Sequence, residues 1–307
     1  MAIQQREGEE KRKLKVDIAQ IIMKIEALTK RIVQTKALGE YLSVFRGAGM
    51  EFEGYKPYTP DIDASKIDWK ASVKSKQMLV KVYREIRELE LYFVLDVSSS
   101  MIFGSRDKLK NEVAAEFVLA LSYTVLNAGD SVGLLAFSDK IKNYTKSGKG
   151  IRQFYKLARV VIDPNLYGGS YNLIEAEDFA LNYITKKHGV IVLISDFYGT
   201  KGIVWQRKLK LLGGKFDVIC IMVRDPRDIT MPSDVGEVLV EDPYSGERQL
   251  IDSRLIKQKY DAMARRQDRE FMNIFKECNA ASMVLNTEKP LYDTLVEFFQ
   301  MRRRRMR

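Results

Sequence analysis

Histidine and cysteine are nearly missing from this chain of 307 residues, which has one of the first and two of the second. No apolar run approaches the roughly 18 residues that a membrane-spanning helix requires. Cys220, in an apolar strand-like run, and Cys278, near the end of a helical pattern, offer neither a disulfide framework nor a metal-spaced cluster, and both read as packing residues. His188 stands between Lys187 and Gly189 and would have to serve any Ser-His-Asp arrangement alone; it reads as a cation at a helix end. Neither Gly148-Lys149 nor Gly214-Lys215 completes a phosphate-binding P-loop, and no strand runs into a Gly-x-Gly-x-x-Gly turn. An aspartyl-phosphate enzyme would want a second carboxylate two residues after Asp96, where Ser98 stands. No catalytic residue is assigned on these grounds, and an enzyme is not expected. The first fifteen residues are too charged for a secretory signal, so a soluble, cytoplasmic protein without a transmembrane segment is expected.

What is present suits a folded chain: 46% hydrophobic and 30% charged residues can bury one large core or two modest ones. The net charge of +10 resembles a nucleic-acid signal until it is localised. The last seven residues hold five arginines, and residues 1–40 carry nine Lys/Arg against six Asp/Glu, which leaves about +2 for residues 41–300. Any contact with a polyanion is therefore sought at the ends. The terminal arginines, 302–305 and 307, are either a solvated tail after a helix or a patch for nucleic acid, anionic lipid or an acidic partner.

Along the chain, Leu14, Ile18, Ile21, Ile22, Ile25, Leu28 and Ile32 recur at steps of three and four and draw one apolar stripe on a helix. That helix either packs on its own domain or offers a face to a partner. Residues 50–77, with Pro57, Pro60 and Asp61, read as an irregular connector in which Trp69 anchors packing. From about residue 78 the periods alternate. The runs 89–95, 132–137, 190–194 and 216–223 read as buried parallel strands. Leu109, Val113, Phe117, Val118, Leu121 and Val125 mark a helix ended by Gly129, with further helices near 149–162, 173–187 and 202–212. Residues 241–247 read as a hairpin turn, followed by a charged helix at 253–278, a strand at 281–285 and a helix from Pro290. The fold class is thus α/β, a doubly wound and mostly parallel sheet of Rossmann type with an N-terminal helical extension. The organisation is an amphipathic helix and connector at 1–77, the α/β domain at 78–300 and a basic tail at 301–307.

In open α/β sheets, ligands bind at the carboxyl ends of the strands, where strand order reverses. Three loops meet that rule: Asp96-Val97-Ser98-Ser99-Ser100 after the first strand, Gly168-Gly169-Ser170 before a helix, and Ser195-Asp196-Phe197 after another strand. Taken singly, each could be a helix cap or turn. Together, Asp96, Ser98, Ser100, Ser170 and Asp196 supply two carboxylates and three hydroxyls, all oxygen, a set that suits Mg²⁺ or Mn²⁺ and not zinc. A cation held partly through water keeps an open position that an incoming Asp or Glu can fill.

These residues resemble the metal-ion-dependent adhesion site of von Willebrand factor A-type domains: Asp96, Ser98 and Ser100 match its first loop, Ser170 falls where that family usually has threonine, and Asp196 where it has its last aspartate. Serine keeps the hydroxyl but loses the methyl group that restricts the rotamer. More narrowly, residues 46–52 (Arg-Gly-Ala-Gly-Met-Glu-Phe), Ile67-Asp68-Trp69 and Arg224-Asp225-Pro226 resemble an uncharacterised prokaryotic A-domain family often associated with MoxR-type AAA+ ATPases. The likeness spans about residues 40–300. It implies a metal-dependent adaptor that binds a carboxylate of a protein partner and works with such an ATPase in assembling or remodelling a complex. The rival expectation is a nucleic-acid-binding protein acting through its basic ends, which would bind without Mg²⁺ and weaken with salt.

Overall fold

In the computed structural model, residues 17–20, 22–23, 50–60, 62–85, 89–184, 189–232 and 236–305 are described. Its centre is a six-stranded sheet made of β3 (Glu90–Asp96), β4 (Ser131–Phe137), β5 (Ile141–Gly148), β6 (Val190–Ser195), β7 (Asp217–Arg224) and β10 (Ala280–Asn286), in the order β10-β7-β6-β3-β4-β5. All neighbours are parallel except the edge strand β5, which runs antiparallel to β4. The strands read as continuous apolar runs because both faces are covered. On one face, Leu91, Phe93 and Leu95 pack against helices α2 (Lys110–Asn127), α3 (Gly150–Val161) and α8 (Leu291–Arg305). On the other, Tyr92 and Val94 meet α4 (Leu173–Tyr183), α5 (Val204–Lys215) and α7 (Ser253–Glu277). The doubly wound, mostly parallel α/β architecture follows from this alternation. Between the two last-named regions of chain, α6 (Pro226–Ile229) is a single turn, and β8 (Glu237–Glu241) pairs with β9 (Arg248–Asp252) in a separate hairpin around the turn expected at 241–247.

Three local expectations need correcting. Residues 50–77 are not irregular: β1 (Met50–Pro57) pairs antiparallel with β2 (Leu79–Glu85), and α1 (Trp69–Ser75) lies between them. Pro57 closes β1 and Pro60 lies beyond it, so neither interrupts the ladder. Trp69 is no packing anchor, since it opens α1 with 63% of its surface exposed. Asp68 holds that segment. It caps α1 through the amides of Lys70 and Ala71, pairs with Lys81 at 3.0 Å and accepts from the Tyr55 hydroxyl, and the Lys81 hydrogen bond leads in bringing its pKa down to about 2. Finally, the chain does not leave α8 before the arginines, because that helix runs through Arg305.

Of the N-terminal helical extension, 18–20 and 22–23 are helical, and Ile18 and Ile22 pack against the apolar core on the face of the sheet that Leu91, Phe93 and Leu95 share. The rest of that stripe, His188 and Arg307 lie outside the described residues. Among the described residues, no helix is long and apolar enough to cross a membrane. Both cysteines are free and buried, as expected of packing residues.

Candidate metal centre

The chain moves from β3 to β4 on one side and later returns to place β6 on the other, so strand order reverses between β3 and β6. Leu95 lies opposite Ile194, which sets Asp96 and Ser195 at the adjoining strand ends. Here the Ser195 hydroxyl donates to Asp96 Oδ2 at 2.7 Å, while the Ser98 amide donates to Asp96 Oδ1 at 2.8 Å. Ser98 then caps a short 3₁₀ turn, Ser99–Met101, whose geometry brings the Ser98 and Ser100 hydroxyl oxygens to 3.2 Å from each other. Asp96, Ser98, Ser100 and Asp196 are all buried.

The second loop is tied to the first through its backbone. The Ser99 amide donates to the Gly169 carbonyl at 3.0 Å, the Gly169 amide to Ser99 Oγ at 3.1 Å, and the Gly168 amide to the Val97 carbonyl at 2.7 Å. Gly168 and Gly169 have φ of +117° and +98°, a region side chains rarely enter, which explains the glycine pair. Ser170 itself is exposed, and among the described residues its hydroxyl makes no hydrogen bond. The loop is brought to the site, but the side chain is not yet part of it.

In the third loop, Phe197 adopts φ +59° and is held there by the rings of Phe275 and Phe271, with centroids 4.9 and 5.8 Å away. This turn keeps Asp196 beside Asp96. Burial, and next the charge of Asp196, push the Asp96 carboxyl up to about 7. Two buried carboxylates that repel each other, next to two convergent hydroxyls, form an oxygen-only donor set with unmet negative charge. That chemistry fits a hard divalent cation.

Sequence reasoning missed the cations of this site. Lys110 Nζ, almost wholly buried at the first position of α2, contacts Asp196 Oδ2 at 2.7 Å and Asp228 Oδ2 at 3.3 Å. Burial alone would lower its pKa, but Asp196 and Asp228 outweigh that and raise it. Arg224 Nη1 donates to the Asp196 carbonyl at 2.6 Å, and its Nη2 to Asp268 Oδ1 at 2.7 Å, with the guanidinium stacked 4.5 Å from the Tyr198 ring centre. Counting Asp96, Asp196, Asp228 and Asp268 against Lys110 and Arg224, acidic groups outnumber basic ones four to two around this site. One signal was available in the sequence: a lysine opening a helix opposes the helix dipole, so Lys110 needs another reason to be there. Within the Arg224-Asp225-Pro226 run, Arg224 supports the Asp196 loop, Asp225 accepts from Ser105 and Thr287, and Pro226 opens α6.

Fold and site together define an α/β domain with a buried cluster of carboxylates and hydroxyls at its topological switch point. Residues 54–270 match the family described as "Protein of unknown function DUF58", and the chain belongs to that family. It is similar to the uncharacterized protein Rv1480 of Mycobacterium tuberculosis, at 25% identity over 289 residues that cover 94% of this chain and 90% of the relative. Among solved structures, it is similar to the conserved hypothetical protein BatB from Bacteroides thetaiotaomicron (16% identity, 69% of this chain and 98% of that one, TM-score 0.46). It is also similar to a von Willebrand factor type A protein from Catenulispora acidiphila (12% identity, 73% of this chain and 43% of that one, TM-score 0.45).

Proposed function

We propose that Asp96, Ser98, Ser100, Ser170 and Asp196 hold a Mg²⁺ or Mn²⁺ ion, and that the chain is an adaptor, not an enzyme, which captures an aspartate or glutamate of a protein partner at that ion. The observation that carries this reading is the convergence of Asp96, Ser98 and Ser100 in one buried turn with Asp196 facing them and a surplus of negative charge around them. The direct ligands are Asp96, Ser98 and Ser100. Asp196, whose carboxylate oxygens already receive Lys110 and the Tyr198 amide, takes part through water. Ser170 would join this set only by turning inward from its exposed position. The ion, when bound, supplies an electrophilic coordination site; the protein's own groups fix its place and leave one position for the partner's carboxylate. The residue patterns shared with A-domain proteins associated with MoxR-type AAA+ ATPases support such an ATPase as the motor acting on the complex.

The test is a pull-down of partners by the purified chain in Mg²⁺ and in EDTA, repeated with Ser98→Ala, Ser100→Ala and Asp196→Ala. Capture lost in EDTA and in the variants, with the circular dichroism spectrum retained, supports the reading. Capture equal in all conditions places the interaction on another face. A salt titration separates the rival: retention that falls linearly in log salt and ignores EDTA is polyanion binding.

A further inference from the structure

The hairpin of β8 and β9 stands apart from the main sheet, and between residues 239 and 250 every residue is exposed except Tyr244. The turn at its tip is tightly closed. The amides of Tyr244 and Ser245 donate to Asp242 Oδ1 at 2.9 and 2.8 Å, and the Asp242 amide donates to the Glu247 carbonyl at 2.9 Å. From this turn the Tyr244 hydroxyl reaches across the molecule and donates to the Tyr198 carbonyl at 2.9 Å. Tyr198 belongs to the third loop of the site, and its own amide donates to Asp196 Oδ1 at 3.0 Å. The phenol also faces the hydroxyls of Ser100 and Ser98 and the carboxylates of Asp196 and Asp96. Like any phenol, it is uncharged near neutral pH.

We infer that Tyr244 is a built-in plug: its phenol rests over Ser98 and Ser100 in the place a partner's carboxylate would take, so the β8–β9 hairpin lifts before capture. This rests on the reading of the pocket as a metal site. The chemistry suits a reversible occupant. A neutral phenol offers lone pairs to the serine hydroxyls and its proton to the Tyr198 carbonyl, so it satisfies polar groups of the pocket without the charge that a carboxylate brings. A partner's carboxylate, drawn to the cation, displaces it. Tyr244 thereby sets the affinity of the site through the fraction of time the hairpin stands open.

The experiment uses Mn²⁺ and acetate as probes on the full chain and on Tyr244→Ala and Tyr244→Phe, reading the water-proton relaxation of bound Mn²⁺ and its loss as acetate enters. With the plug shut about nine-tenths of the time, removing it raises the apparent acetate affinity about tenfold, because apparent affinity scales with the competent fraction. Tyr244→Phe, which keeps the ring but loses its tie to Tyr198, falls between. Mn²⁺ binding by the variants but not by the parent is the same result in a stronger form. Equal Mn²⁺ binding and equal acetate affinity in all three proteins overturns the plug and leaves the metal site standing. Mn²⁺ bound about tenfold more weakly by both variants shows a ligand instead of a plug, and also overturns it. No Mn²⁺ bound by any of the three removes the metal reading and the plug with it.

Discussion

Replacing Lys110 with methionine separates the roles of the two cations in the pocket, the protein's own and the proposed divalent one. Lys110 Nζ lies 5.6 and 5.4 Å from the ring centres of Phe103 and Tyr198, and methionine keeps an unbranched apolar side chain of similar length while removing the charge and its hydrogen-bond donors. Asp196 and Asp228 then stay buried with their shared ammonium gone. Breaking a buried ion pair from one side costs about 3–5 kcal/mol. For a domain of this size that is a drop in Tm of roughly 6–15 °C. The position of Lys110 at the start of α2 adds nothing to offset this, because a cation there opposes the helix dipole. A divalent ion beside Asp96 returns positive charge to the same carboxylates, so saturating Mg²⁺ stabilises Lys110→Met by more degrees than it stabilises the parent. Thermal unfolding followed by circular dichroism, in EDTA and in Mg²⁺, measures both. A variant that melts with the parent in EDTA, or that gains no more from Mg²⁺ than the parent does, refutes the electrostatic account of the pocket.

The pH dependence has a fixed sign. With Asp96 raised to about 7 from an ordinary value of 3.8, the folded chain keeps a proton that the unfolded chain releases, so this group's contribution to the stability of the metal-free protein is full below about pH 4 and is lost as pH climbs through 7. The slope from this group is at most about 1.4 kcal/mol per pH unit. Urea unfolding across that range checks it, and the slope should flatten in Mg²⁺. Gly213→Ala sets a Cβ 2.1 Å from the Cys278 carbonyl oxygen, a backbone atom that cannot swing away, and should destabilise by about 2 kcal/mol or more in the same assay. Asp68→Ala should lower Tm while Trp69→Ala leaves it nearly unchanged, since the aspartate caps α1 and the tryptophan ring faces solvent.

The central sheet was legible because its parallel strands are buried on both faces and so appear as unbroken apolar runs. Strand β5 was not, because only Thr145 in it is buried and its alternating polar residues match no run. In β1 the prolines drew attention to the strand's end and away from the alternation before it. Asp96, Ser98, Ser100 and Asp196 could be picked out because each sits at a strand end, where chain order alone fixes position. Asp228 and Tyr244 could not, since they enter the site from a single turn and a hairpin tip that only tertiary folding brings together. Averaging charge over residues 41–300 also hid a local excess. Between 140 and 162 the chain has seven lysines and arginines and no acidic residue, and these seven side chains lie exposed along β5 and α3.

Calorimetric titration of the purified chain with Mn²⁺, paired with its thermal unfolding, tests the metal site most directly. One ion should bind per chain, with a stabilisation of about 2.7 kcal/mol when free Mn²⁺ is a hundredfold above Kd. Asp96→Ala and Ser100→Ala should abolish both signals while the chain stays folded. Absence of binding heat together with an unchanged Tm in the parent, or an Asp96→Ala protein that responds as the parent does, would contradict the assignment of these residues to a cation.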